Sequence, residues 1–222
     1  MGVVGRIGFD AKNFFKLLNQ KKSFLLAVCA NFIVQLGITY WTMMNYPATK
    51  ISLGWFWAYI ILQFIIIFVL MSGTLGPVLK FLLFSLFSFI WGVIFSSYRE
   101  NKLYSGLIQF AIAGTAGIFV AMFFVGLLLV LFGIKLGFGF GAGLFFGLLF
   151  LIIMQLIEIF AGLHMKVINS IGIVLFAIYI VYDTNIILSR DYSGDFIQAS
   201  MDYYLDTINI FLNITENSGS IS

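Results

Sequence analysis

Charge is scarce in this sequence. Nine acids and twelve bases are spread over 222 residues, so charged side chains make up only 9% of the chain. A soluble domain carries roughly a quarter charged residues, and a water-soluble globule is therefore excluded. The excess of base is small, +3, and dispersed after the first 22 positions, which leaves no basic face for nucleic acid. One cysteine, Cys29, rules out an internal disulfide and reads as a packing residue in an apolar run. The sole histidine, His164, lies beside Lys166 with no ligand cluster around it, so metal catalysis finds no support.

What is abundant is apolar sequence. Hydrophobic residues make up 62% of the chain and the mean hydropathy is +1.08. Crossing a bilayer takes roughly 20 mostly apolar residues, and seven segments answer to that: 23–44, 51–72, 78–98, 105–132, 136–160, 165–189 and 196–214. The first five hold almost no internal charge; Lys80 begins the third and Glu158 ends the fifth. Backbone in lipid must satisfy its own hydrogen bonds, so helices are predicted, and the alternating strands of a barrel are missing. Short loops make successive helices antiparallel neighbours. The expected fold is all-α, a polytopic bundle of seven transmembrane helices. Residues 1–22 form a basic cytoplasmic segment, 23–214 a single transmembrane domain and 215–222 a short polar tail.

Arg6, Lys12, Lys16, Lys21 and Lys22 precede the first segment and predict a cytoplasmic N-terminus. The later loops divide, with Lys80, Lys135 and Arg190 inside against Lys50, Arg99, Lys102 and Lys166 outside. The long first run lacks a small-residue cleavage site, so no cleaved signal peptide is expected. Seven crossings put the C-terminus outside unless the last segment is re-entrant. In "GFGFGAGLFFG", Gly139, Gly143 and Gly147 form one small-residue face, and Ala113, Gly114 and Gly117 another, both read as helix packing. No strand precedes these glycines and they do not match GxGxxG, so a nucleotide site is not expected.

Five of the nine acids fall between residues 180 and 214, in "IVYDTNIILSRDYSGDFIQASMDYYLDTINIFLNI". Asp202, Asp206, Asn209 and Asn213 cover an arc of only about 60° on a helix. This stripe must face protein or water, because lipid cannot solvate it. Asp183 lies roughly 9 Å before the end of segment six, and Asp206 roughly 15 Å after the start of segment seven. The turn "SRDYSGD" joins those ends, so the two acids can meet at similar depth.

Three kinds of chemistry suit such a pair. Adjacent carboxylates in a low dielectric share one proton and can serve as a pH-dependent gate. Carboxylate and amide oxygens suit a hard cation such as calcium, which makes Asp183 and Asp206 candidate calcium ligands. Paired aspartates can also activate water for peptide hydrolysis. Structural roles stand beside these: Asp202 suits the helix dipole, Asp183 can reach toward the interface, and Asp206 can satisfy a buried amide. Asp191 and Asp195 read as solvated residues of a polar turn, and Arg190 as a loop ion pair or anchor.

In "FAIYIVYDTNIIL", "DYSGDF" and "ASMDYYLDTINIFLNI" the chain resembles the transmembrane Bax inhibitor motif family. "IAGTAGIFVAMF" and "FSLFSFIWGVIFSS" are weaker matches. The resemblance implies seven helices with the last one central, a calcium leak, and a di-aspartyl pH sensor at Asp183 and Asp206. It also matches Asp202 to an acid of the eukaryotic branch. The family often carries an acid and a basic latch in segment two; here that segment has neither, and Gln63 stands near the acid's position. A shared proton, Gln63, or Tyr179, Tyr182 and Tyr204 are the candidates to hold the pair instead. The tail "TENSGSIS" has no base and no proline-rich extension precedes the first segment, which leans toward a bacterial-type member.

The expected function is a pH-sensitive calcium leak gated by Asp183 and Asp206. Asp202, Asn209, Asn213, Glu158 and Gln63 are candidates to line its path. No enzyme activity and no cofactor are expected; calcium enters as the ion carried or bound. The partners are the lipid bilayer, calcium and protons. Location follows source: the plasma membrane of a bacterium, or the endoplasmic reticulum or Golgi membrane for a eukaryotic or viral protein. One alternative is a non-conducting regulator of cell-death factors or membrane proteases. An intramembrane aspartyl protease is the other, disfavoured by the bulky neighbours of Asp206 in "YYLDTIN".

Overall fold

Every apolar run becomes a helix in the computed structural model, which describes residues 11–47, 51–97, 104–162, 166–190, 192 and 194–219. The helices are α1 (Ala11–Asn45), α2 (Leu53–Met71), α3 (Pro77–Ser96), α4 (Tyr104–Leu131), α5 (Phe138–Ala161), α6 (Lys166–Ser189) and α7 (Phe196–Gly219). No strand occurs among the described residues. Six of the helices, α1 to α6, are long and apolar enough to cross a membrane. α7 has the length, 24 residues, but its carboxylates and amides lower its apolar character. Arg6, Lys50, Arg99, Lys102, His164 and Asp191 lie outside the described residues.

Local chemistry sets the helix ends. Ser52 caps α2 by accepting from the Trp55 amide at 3.4 Å. Pro77 opens α3, where its missing N–H costs nothing. α5 stops at Gly162, whose φ of 64° is the left-handed conformation that glycine adopts freely. Two helices outrun their apolar segments. α1 begins at Ala11, well ahead of the expected start at residue 23, because no proline interrupts its opening turns, where Lys and Leu are good helix formers. α7 continues to Gly219 rather than ending at 214.

The chain divides into two compact units. The first comprises Met1–Ser23, Leu107–Tyr192 and Leu205–Ser222. Its helices meet where glycine clears the way. A Cβ on Gly126 of α4 would stand 2.6 Å from Thr184 Cβ on α6. Gly141 of α5 takes the Tyr182 ring, and Gly172 of α6 takes the Asn213 side chain of α7. Gly147 meets Leu175 at 3.1 Å. The predicted Gly139–Gly143–Gly147 face is therefore largely unused, since Gly139 and Gly143 have nothing within 4 Å. Gly117 is open as well, while Gly114 meets Ile214. Spacing shows which glycines share a face but not which face a neighbour covers.

The second unit comprises Phe24–Gly106 and Ser193–Tyr204. Here a Cβ on Gly92 of α3 would stand 2.5 Å from Thr42 Cβ and 2.7 Å from the Thr39 carbonyl of α1. Tyr204 is fully buried, edge-on to Phe84 and Phe87 with centroids 5.2 and 5.9 Å away. Its hydroxyl shares a 2.6 Å hydrogen bond with Thr39. Gln35 donates to Asn31 and Ser85 and accepts from Ser88, and Asn31 donates to Ser200. This buried amide and hydroxyl cluster ties α1, α3 and the start of α7 together, as polar side chains do between membrane helices.

Candidate functional site

α6 and α7 run antiparallel from a short turn, and the first unit brings their acids together. The side chains of Asp183 and Asp206 lie within interaction range of each other, with both residues buried. Two carboxylate anions have no donor between them, so a hydrogen bond across the pair would need one proton held between them. Tyr179, one turn before Asp183, lies within electrostatic range of both acids. Tyr182 points elsewhere, stacking on Phe140 with centroids 5.9 Å apart.

The residues flanking Asp183 hold its helix in place. Thr184 donates back to the Ile180 carbonyl at 2.7 Å while its Cβ seats against Gly126. Asn185 closes the α4–α5 loop from both sides: its Nδ2 donates to the Ile134 carbonyl at 2.8 Å, and its Oδ1 accepts from the Leu136 amide at 2.9 Å. Lys21 Nζ donates to the carbonyls of Ile187, at 2.8 Å, and Arg190. A lysine on the last carbonyls of a helix satisfies orphaned acceptors and opposes the helix dipole.

The rest of the α7 stripe divides. Asp202 and Asn209 are half-buried and Asn213 is buried. Asn209 Nδ2 donates to the Leu205 carbonyl and Asn213 Nδ2 to the Asn209 carbonyl, each at 2.7 Å. The amide donors are thus folded back on α7. Gln155 of α5 reaches Asn213 Oδ1 at 3.5 Å. Glu158 is not brought to the pair. The contacts of Gly141 with Tyr182 and Gly147 with Leu175 set the α5–α6 register, which puts Glu158 level with the first turn of α6, roughly 25 Å from Asp183.

In the second unit Gln63 is buried and donates from Nε2 to the Phe87 carbonyl at 3.2 Å. Its Oε1 has no partner among the described residues. Asp195 is not the solvated turn residue that its setting suggests. Lys80, itself buried, forms an ion pair with Asp195 Oδ2, and Asp195 Oδ1 caps α7 by accepting from the Gln198 amide at 3.1 Å. A lysine at the edge of an apolar run needs a partner, and that was the available signal. Asn31, Gln35 and Thr39 recur every four residues on α1, the same signal that marks the α7 stripe.

No group of three or more His, Cys, Asp or Glu side chains among the described residues could hold a metal ion. Calcium takes roughly 6–8 oxygen ligands, more than the pair supplies by itself. The arrangement can hold or release a proton and offers carboxylate oxygen to a passing cation.

Comparison with known proteins extends past this site. Residues 21–217 match the family described as "Inhibitor of apoptosis-promoting Bax1". The chain is 35% identical over 77 residues to protein lifeguard 4 of Mus musculus, covering 34% of this chain and 32% of that one. It is 36% identical over 84 residues to an uncharacterized protein of Helicobacter pylori (strain ATCC 700392 / 26695), covering 37% and 36%. A Golgi anti-apoptotic protein of Vaccinia virus (strain Lister) is 35% identical over 78 residues, covering 34% and 33%. The chain thus spans about a third of the length of these relatives. With an all-helical architecture, six helices fit to span a membrane, and a family match over nearly its whole length, the chain belongs to the Bax inhibitor family of integral, multi-pass membrane proteins.

Proposed function

We propose that this protein is a pH-sensitive leak for calcium, gated by the Asp183–Asp206 pair. The observation that carries the proposal is the closeness of two buried carboxyl groups on adjacent helices, where one shared proton would bond them. While the pair keeps its proton, the bond fastens α6 to α7. When the proton leaves, two anions face each other in a low dielectric, where like charges repel strongly. Separation of the helices then opens a path, and the freed carboxylates attract the cation that follows it. Leak therefore rises with pH across the pair's titration. Asp202 and the stripe amides line the path, with α7 as the inner helix and Glu158 at the far mouth. The N-terminus is cytoplasmic, and calcium is cargo rather than a resident cofactor.

The test is calcium flux into vesicles holding the purified protein. Wild type should conduct more at about pH 8 than at about pH 6. In Asp206→Asn and in Asp183→Asn the amide donates to the remaining carboxylate at every pH, so flux should be low and pH-independent. If both variants keep the wild-type profile, the gate is not this pair.

A second reading follows from what the Vaccinia virus relative is called, a Golgi anti-apoptotic protein. On that reading the chain regulates cell-death factors without conducting. Vesicles that show no flux at any pH, together with a stoichiometric membrane-protein partner after mild detergent extraction, would favour it.

A further inference from the structure

The opening turns of α1 play no part in the proposed gate, yet their two faces differ sharply. At 100° per residue, Phe14, Leu17, Leu18 and Lys21 fall on one side. All four are half-buried, and Lys21 spends its ammonium on the C-terminal carbonyls of α6. On the other side, Lys12, Phe15, Lys16 and Lys22 fall within an arc of about 120°. All four are exposed, Phe15 to 66%. Lys12, Lys16 and Lys22 have no hydrogen-bond or ion-pair partner among the described residues, and α1 contains no acid. This stretch runs without a break into the apolar part of α1, which sets it at the membrane boundary.

We infer that this outer face is a binding surface for anionic phospholipid headgroups. Three ammonium groups on one face complement lipid phosphates, each lysine near a charged leaflet adding to the attraction. The exposed ring of Phe15 between them suits the boundary between headgroups and acyl chains. A soluble acidic partner would need an apolar pocket for the phenyl ring as well, whereas a leaflet supplies phosphate and acyl chain side by side. Lys21 is not part of the surface; it fastens the helix from behind to the end of α6.

The test uses the full-length purified protein in detergent, titrated with phosphatidylglycerol or phosphatidylcholine and read by native mass spectrometry. Wild type should retain phosphatidylglycerol in preference to phosphatidylcholine. The variant Lys12→Gln/Lys16→Gln/Lys22→Gln should lose affinity for phosphatidylglycerol by roughly tenfold or more, with phosphatidylcholine unaffected. Phe15→Ser should weaken both lipids modestly. The charge-preserving Lys12→Arg/Lys16→Arg/Lys22→Arg variant should bind as wild type does, which separates charge from a folding defect. A triple Gln variant that binds phosphatidylglycerol like wild type, or a wild type without preference for it, would overturn the inference. Calcium flux does not enter this readout, so failure of the gate leaves it intact.

Discussion

At Gly92 an added methyl group would meet Thr42 Cβ at 2.5 Å and the Thr39 carbonyl at 2.7 Å. The carbonyl belongs to helix backbone and cannot swing aside. Gly92→Ala should therefore cost about 1–3 kcal/mol, the usual penalty for overpacking, seen as a lower midpoint of thermal unfolding in detergent. Gly143→Ala makes the opposite case. Nothing lies within 4 Å of that position, and alanine is the better helix former by about 1 kcal/mol, so its midpoint should hold or rise. Equal losses at both positions would mean that these glycines act through chain flexibility rather than contact.

Among the elements, α7 has a start that is held from two sides. Lys80 and the Gln198 amide take opposite oxygens of Asp195. Lys80→Met removes a charge-assisted bond worth roughly 2 kcal/mol. Asp195→Asn keeps the cap and loses the charge, so it should cost about as much as Lys80→Met, while Asp195→Ala should cost roughly 1 kcal/mol more. A Lys80→Met/Asp195→Asn double variant no worse than either single one would show that the two residues act as a unit. The run of seven helices was legible from apolar length, and the acids of α6 and α7 stood out by their placement on a hairpin. What escaped the sequence was partnership. Asp195 in "DYSGDF" looks like any turn acid until the chain brings Lys80 to it from 115 positions away. Lys21 reaches the end of α6 across 166 residues. Such pairings depend on which faces meet, and apolar helices carry little pattern to announce that.

For the molecule as a whole, the stripe on α7 offers a test of path against gate. If Asn209 lines the route, Asn209→Leu should lower calcium flux at every pH while the shape of the pH profile stays as in wild type. A variant whose profile moves along the pH axis would instead tie Asn209 to the titrating pair. With both aspartates intact, the comparison separates how many ions pass from when they pass. The basic face of α1 acts at the same scale, since the lipid around the protein would determine how that helix is held.

The first turn of α7 is pinned by Lys80, and its next turns by Asn31 and Thr39 through Ser200 and Tyr204. Asp206 stands roughly 15 Å from the pinned end and Asn213 roughly 25 Å. The amide of Asn213 sits in the notch at Gly172, two turns beyond Asp206. A proton lost at Asp206 would thus act at the middle of the helix, two residues past the last of these anchors.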